Sequence, residues 1–266
     1  MKSIKHVLNT VRQKSPILFG IAMLHAVVAV ICILGIFVDD RTLMGINVWI
    51  KPLKFTLSGG IYLLTVGFLT TVYPFSKRKR NIINNIVSWT LALEIGIIVY
   101  QAARGVKSHY NQSSLFDGLL FAGMGVLISI IVMTMVFFII ETIRLKLDVP
   151  KSVQLALLLG WIIVLFGSWV GGQMISQMSH NVGIADGGAG LPVLNWSTLA
   201  GDLRVAHFFG LHGIQIIPLF AVNLAHKWKT TEKRKVLVTL LFGLLYAGWL
   251  AFTFYQAKQG MPLVKL

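Results

Sequence analysis

With 266 residues, 56% of them hydrophobic, and a mean hydropathy of +0.76, the chain is too apolar for an ordinary water-soluble globule. Seven apolar runs of ~20 residues each account for ~140 residues, which leaves one transmembrane domain over 1–266 and no room for a soluble one. The net charge of +15 lies within a few residues of the apolar runs, where anionic headgroups attract it, and this placement excludes nucleic acid as the partner.

A first basic cluster, Lys2, Lys5, Arg12 and Lys14, leads into a span at 16–38. No small-residue cleavage site follows, so the run reads as a retained span, not a signal peptide. It carries His25 and the single cysteine, Cys32, which has no internal partner for a disulfide. The span at 53–73 places Lys54, Ser58 and Tyr62 on one helical face. Lys77-Arg78-Lys79-Arg80 precedes the span at 82–103, which holds Glu94 and Gln101 in phase and Arg104 just past its end. The run at 115–143 is nearly all apolar after Asp117 and reads as lipid-facing.

Arg144, Lys146 and Lys151 introduce the span at 153–178, with Gln173, Gln177 and then His180 at helical spacing. The span at 203–226 sets Arg204, His207, His212 and Gln215 over an arc of roughly 140°. Lys227, Lys229, Lys233, Arg234 and Lys235 precede the last span, 236–255, which carries Tyr246 and Trp249, with Gln256 just beyond.

The basic clusters occupy every second connection and hold 16 of the 24 Lys and Arg residues. The positive-inside rule then orients the chain with its N-terminus cytoplasmic and its C-terminus extracytoplasmic. The expected fold is all-α: a polytopic transmembrane helix bundle of seven spans. No internal repeat is evident, and an odd number of spans gives no support to an inverted repeat. The outer loops are the longer ones, and two of them carry glycosylation sequons at Asn111 and Asn195.

Orientation and helical phase together send polar side chains from several spans into one outward-opening pocket. Lys54, Gln101, Arg104, Gln173 and His207 fall in its outer half; His25, Glu94, His212 and Gln215 lie near mid-depth. Each feature also has a plainer reading. Gln and Ser serve as interhelical glue, Trp49, Lys51 and Trp196 as interfacial anchors, and a lone His as a hydrogen-bonded core residue. Lys54 can snorkel to the interface, and Asp202 suits a helix N-cap. Glu94 resists such a reading, because a mid-membrane carboxylate needs a partner (His25, His212 or Lys54) or a raised pKa.

Three segments, Asn47–Phe55, Gln101–Asn111 and Gly201–His212, together resemble an uncharacterised family of bacterial polytopic membrane proteins. The resemblance implies a bacterial cytoplasmic membrane and assigns no activity to any residue. Zinc-protease, nucleophile-elbow and Walker motifs are absent from these segments.

Three functions compete. The first is a membrane-embedded redox or metal-dependent enzyme, with Glu94, His207 and His212 catalytic. Its metal would be a divalent ion on His109, His180, His207 and Asp202, or its cofactor haem b held by His25 and His212 with Arg204 near a propionate. The second is a transporter or receptor for a small anionic solute or lipid reached from the outer side, with Lys54, Gln101, Arg104, Gln173 and Gln215 as ligand-binding groups. The third is an assembly or sensory membrane protein whose polar groups are structural only.

Overall fold

The computed structural model describes residues 4–265, so Lys2 of the first basic cluster lies outside the described residues. Among these residues the chain is all-α apart from four two-residue strands. Six helices are long and apolar enough to cross a membrane, or seven when a bent pair is counted as one span. Lipid imposes this form, because a helix satisfies its own backbone N–H and C=O groups where no water can. The described residues divide into two compact units, 4–134 and 135–265, with the boundary inside one continuous helix.

The first unit begins with α1 (Ile4–Lys14), an amphipathic helix that the basic N-terminal cluster did not suggest. It ends at Ser15, held out of helical conformation before Pro16, which opens α2 (Pro16–Val38). Ser15 turns its hydroxyl inward to the Gly67 carbonyl, at 3.0 Å. A hairpin follows, β1 (Thr42–Leu43) paired with β2 (Ile46–Asn47), around a two-residue turn with Met44 and Gly45 at positive φ. Then come α3 (Ile50–Leu69), α4 (Lys77–Ala103) and the start of α5 (Leu115–Arg144). The helix α3 starts earlier than 53 and ends at Leu69, so Lys51 and Lys54 belong to its first turns. The Lys77–Arg80 quartet forms the first turn of α4, capped by Ser76.

The second unit contains α6 (Lys151–Ser176) and the paired strands β3 (Asn181–Val182) and β4 (Gly201–Asp202). After them come α7 (Leu203–Leu211), α8 (Gly213–Lys227) and α9 (Glu232–Lys258). The expected continuous span at 203–226 is broken at His212, where α7 and α8 meet with a bend of 45°. Gly210 and Gly213 flank the break, and Pro218 has no N–H for the Ile214 carbonyl. Close packing fixes the bend: Gly210 lies on the backbone of Gly167, and Gly213 on the side chain of Ile163.

Apart from α1 and the divided α5, the two units share one order of elements: a helix, a long loop with a two-stranded ribbon, a second helix or bent pair, a short turn and a third helix. Their third helices, α4 and α9, are both 27 residues long. In that register Tyr100-Gln-Ala-Ala-Arg-Gly105 corresponds to Tyr255-Gln-Ala-Lys-Gln-Gly260, and both glycines close their helix at a φ of 72°. The buried residues of α9, Thr239, Gly243, Leu250, Thr253 and Ala257, correspond to Asn84, Ser88, Ile95, Ile98 and Ala102. All five of these are buried in α4. The expectation of no internal repeat is therefore corrected: the repeat hides in a sequence where apolar residues interchange freely and only burial keeps the register.

Candidate functional site

The core of the first unit holds the most demanding polar groups. On α2, His25 is 3% exposed and its Nδ1–H donates to the Ile21 carbonyl at 2.8 Å. That bond fixes the tautomer and leaves Nε2 with its lone pair bare. The ring fits because α3 has glycine at 59: a Cβ there would come within 3.4 Å of His25 Nε2 and 2.5 Å of Ile95 Cδ1. Across this thin place α2 meets α4 at the residue after Glu94. Glu94 is 7% exposed, and neither its Oε2 nor His25 Nε2 has a hydrogen-bond partner. Oε2 thus makes no bond to His25, His212 or Lys54, the partners expected for it. On the same buried face of α4, the Asn84 amide and the Ser88 hydroxyl are also unpartnered.

Arg104, expected to bind an anionic solute, and Arg204, expected beside a propionate, are already neutralised. Arg104 Nη1 donates to Asp117 Oδ1 at 2.6 Å and to Gln101 Oε1 at 2.6 Å. Gln101 and Ser114 add bonds to the same Asp117 carboxylate, so Gln101 and Arg104 form a closed internal network. Asp117 is therefore more than the polar start of a lipid-facing helix. Arg204 likewise holds Asp202 through Nε and Nη2, the latter at 2.6 Å, while Asp202 also caps α7. In the loop before α3, Arg41 and then Trp49 bind Asp39 and hold its carboxyl below the usual carboxylate range. Lys51 Nζ lies 3.3 Å from His109 Nδ1, and Lys54 is half-buried one turn further along α3.

The second unit uses its histidines to join elements. His207 Nδ1–H donates to the Gly167 carbonyl at 2.8 Å, and its ring fills the space over Gly171. His212, at the break, donates from Nδ1 to Phe208 O at 2.7 Å. His180 Nδ1 lies 2.6 Å from Asp186 Oδ2. Burial alone would raise the Asp186 pKa, but His180 and the backbone N–H groups of His180 and Asn181 outweigh it and hold the carboxyl below the usual range. Gln173 is half-buried near the end of α6, Gln177 binds the Ser179 and Asn181 carbonyls, and Gln215 lies in the first turn of α8.

Among the described residues no group of three or more His, Cys, Asp or Glu side chains is placed to hold a metal ion. The set His109, His180, His207 and Asp202 is thus not assembled; His207 and Asp202 are engaged by backbone and by Arg204. Both sequon asparagines, Asn111 and Asn195, are buried, which is a poor position for a bulky glycan.

Two groups that matter here escaped the sequence reading, Asp39 and Asn84, and Asp117 was read only as the polar start of an apolar run. For Asp39 the signal was present, since Asp39-x-Arg41 repeats the spacing of Asp202-x-Arg204. Asn84 and Ser88 lay in the first turns of a span drawn from 82, where polar residues look interfacial.

No family model, no curated protein and no solved structure matches this chain.

Proposed function

We propose that this chain is a proton-coupled transporter of a small solute, with Glu94 and His25 as its protonatable pair. The observation that supports it is the burial, inside the first unit, of two titratable atoms without hydrogen-bond partners, Glu94 Oε2 and His25 Nε2. A static ion pair or a hydrogen-bonded glue residue would have its bonds made; a group that must take and release a proton in hydrocarbon has a reason to lack them. The repeated three-helix units add support. Internal repeats of helices are common in transporters. We place the protein in a bacterial cytoplasmic membrane, N-terminus inside, on the alternating basic clusters and the three family-like segments. Closure of Arg104 and Arg204 by Asp117 and Asp202 removes the ground for an anionic solute in particular.

The test is proton flux in proteoliposomes carrying an internal pH dye, challenged with single amino acids, sugars and carboxylates. At least one solute should drive acidification in wild type, and Glu94→Gln should abolish it. Wild-type flux in Glu94→Gln, or no solute response at all, sinks the reading.

A further inference from the structure

Asn84, Ser88 and Glu94 on α4, with His25 on α2, all carry buried polar atoms without partners inside one unit. Asn84 and Ser88 are 1% and 0% exposed, so neither reaches bulk water directly. Leaving such a group bare costs about 1–3 kcal/mol, and buried water is the usual remedy where polar atoms cluster. The three α4 residues fall within an arc of roughly 120°, facing the unit's interior. Ser88 lies one turn above Asn84, and Glu94 roughly 9 Å of helix rise above Ser88. About three water molecules at ~2.8 Å spacing bridge that distance.

The second unit provides a comparison. There the corresponding residues are Thr239, Gly243 and Trp249. Gly243 is closed over by Leu159, and an indole stands where Glu94 would be. Thr239 Oγ1 is also buried without a partner, but above it Gly243 and Trp249 offer no polar side-chain group to continue a column as Ser88 and Glu94 do.

We propose that Asn84 and Ser88 hold a short chain of water that carries protons between the Lys77–Arg80 side of the membrane and the Glu94 carboxylate. An excess proton enters from a hydronium ion and passes along the hydrogen-bonded waters. The last water donates to Oε2, which becomes a neutral carboxyl, and each water keeps two protons. No electron moves and no co-reactant is consumed. The Asn84 amide offers a donor and an acceptor, and the Ser88 hydroxyl does both, as a water chain requires in either direction. The inference rests on the protonation of Glu94 proposed above.

Infrared spectroscopy of the full-length protein in lipid tests it. The protonated Glu94 carboxyl is the C=O band lost in Glu94→Gln, and its shift on transfer to D2O reports proton access. The Asn84→Leu/Ser88→Ala variant should slow that shift by an order of magnitude or more, and Thr239→Val should leave it unchanged. Ser88→Ala alone should also slow it, which keeps the test available if the double variant misfolds. An unaltered exchange rate, or no Glu94-dependent carboxyl band at any pH, overturns the pathway. The two proposals fail separately. Unaltered exchange with coupling lost in Glu94→Gln removes the water chain only; slowed exchange with wild-type solute flux in Glu94→Gln removes the transporter only.

Discussion

The two three-helix units follow the same order, and every position buried in α9 is also buried in α4, yet they use glycine in opposite ways. In the first, Gly59 makes room for a side chain, and the imidazole of His25 fills the space. In the second, Gly210 makes room for a backbone, and Gly167 of α6 comes into direct contact. One unit thereby keeps titratable groups in its core. The other becomes a tight backbone-to-backbone joint with its second helix bent at His212. Small residues at a helix contact permit either outcome, so their presence in a sequence does not say which was chosen.

The largest expected effect breaks the joint. A Cβ at Gly210 would fall against the Gly167 Cα, a backbone atom that cannot turn aside as a side chain can. Gly210→Val should cost about 3 kcal/mol or more and should show as lost monodisperse protein on heating in detergent. Gly96→Ala and Gly248→Ala, where a Cβ meets nothing within 4 Å, are the controls and should be neutral or slightly stabilising. A Gly210 variant as stable as these controls would remove the distinction between the units.

The next effect compares their charge networks. Asp202 is 1% exposed at its side chain and satisfies Arg204 together with the Ser197 N–H. Asp202→Asn leaves the guanidinium uncompensated and should lower stability by about 2 kcal/mol, discounted for the partial exposure of Arg204. Asp117→Asn should cost less, because Arg104 is more exposed and can turn to solvent or headgroups. Equal thermal shifts for the two variants would mean that exposure does not govern the difference.

A smaller effect runs the other way. If Glu94 is kept for protonation and not for packing, Glu94→Leu should raise stability by about 1 kcal/mol while it abolishes solute-dependent proton flux. A lowered melting temperature would instead mark Glu94 as structural glue.

Much of the fold was legible in the sequence, and the reasons are physical. Continuous apolar length sets the number of spans, because lipid allows no alternative to a helix; hence the runs at 16–38 and 115–143 appear nearly as drawn. The break at His212 was not legible, since Gly210, Gly213 and Pro218 are each tolerated in straight membrane helices and only contact with α6 selects the bend. The repeat was hidden for a related reason: Ile95 and Leu250 fill the same place without matching as letters. At the candidate site, Glu94 stood out because any carboxylate in hydrocarbon is costly. Asn84 and Ser88 did not, and Arg104 and Arg204 looked free because sequence spacing does not show that a carboxylate is already bound to each.

The smallest effect lies in the loop of the second unit, where Asp186 accepts bonds from Ser179, from the backbone of His180 and Asn181, and from the His180 ring. The first unit's ribbon is tied by Asp39 to Arg41, a partner charged at every accessible pH, so its bond changes only through the carboxylate. For Asp186 the folded-state pKa is depressed below its ordinary 3.8, so its stabilisation is present above that value and is lost as pH falls through the folded one. Asp186→Asn should therefore lower the melting temperature most at neutral pH, by an amount equivalent to about 1 kcal/mol. The gap between variant and wild type should narrow steadily below pH 3.8. A gap that stays constant to the acid limit would show that the carboxylate's charge contributes nothing and that an amide caps this loop as well.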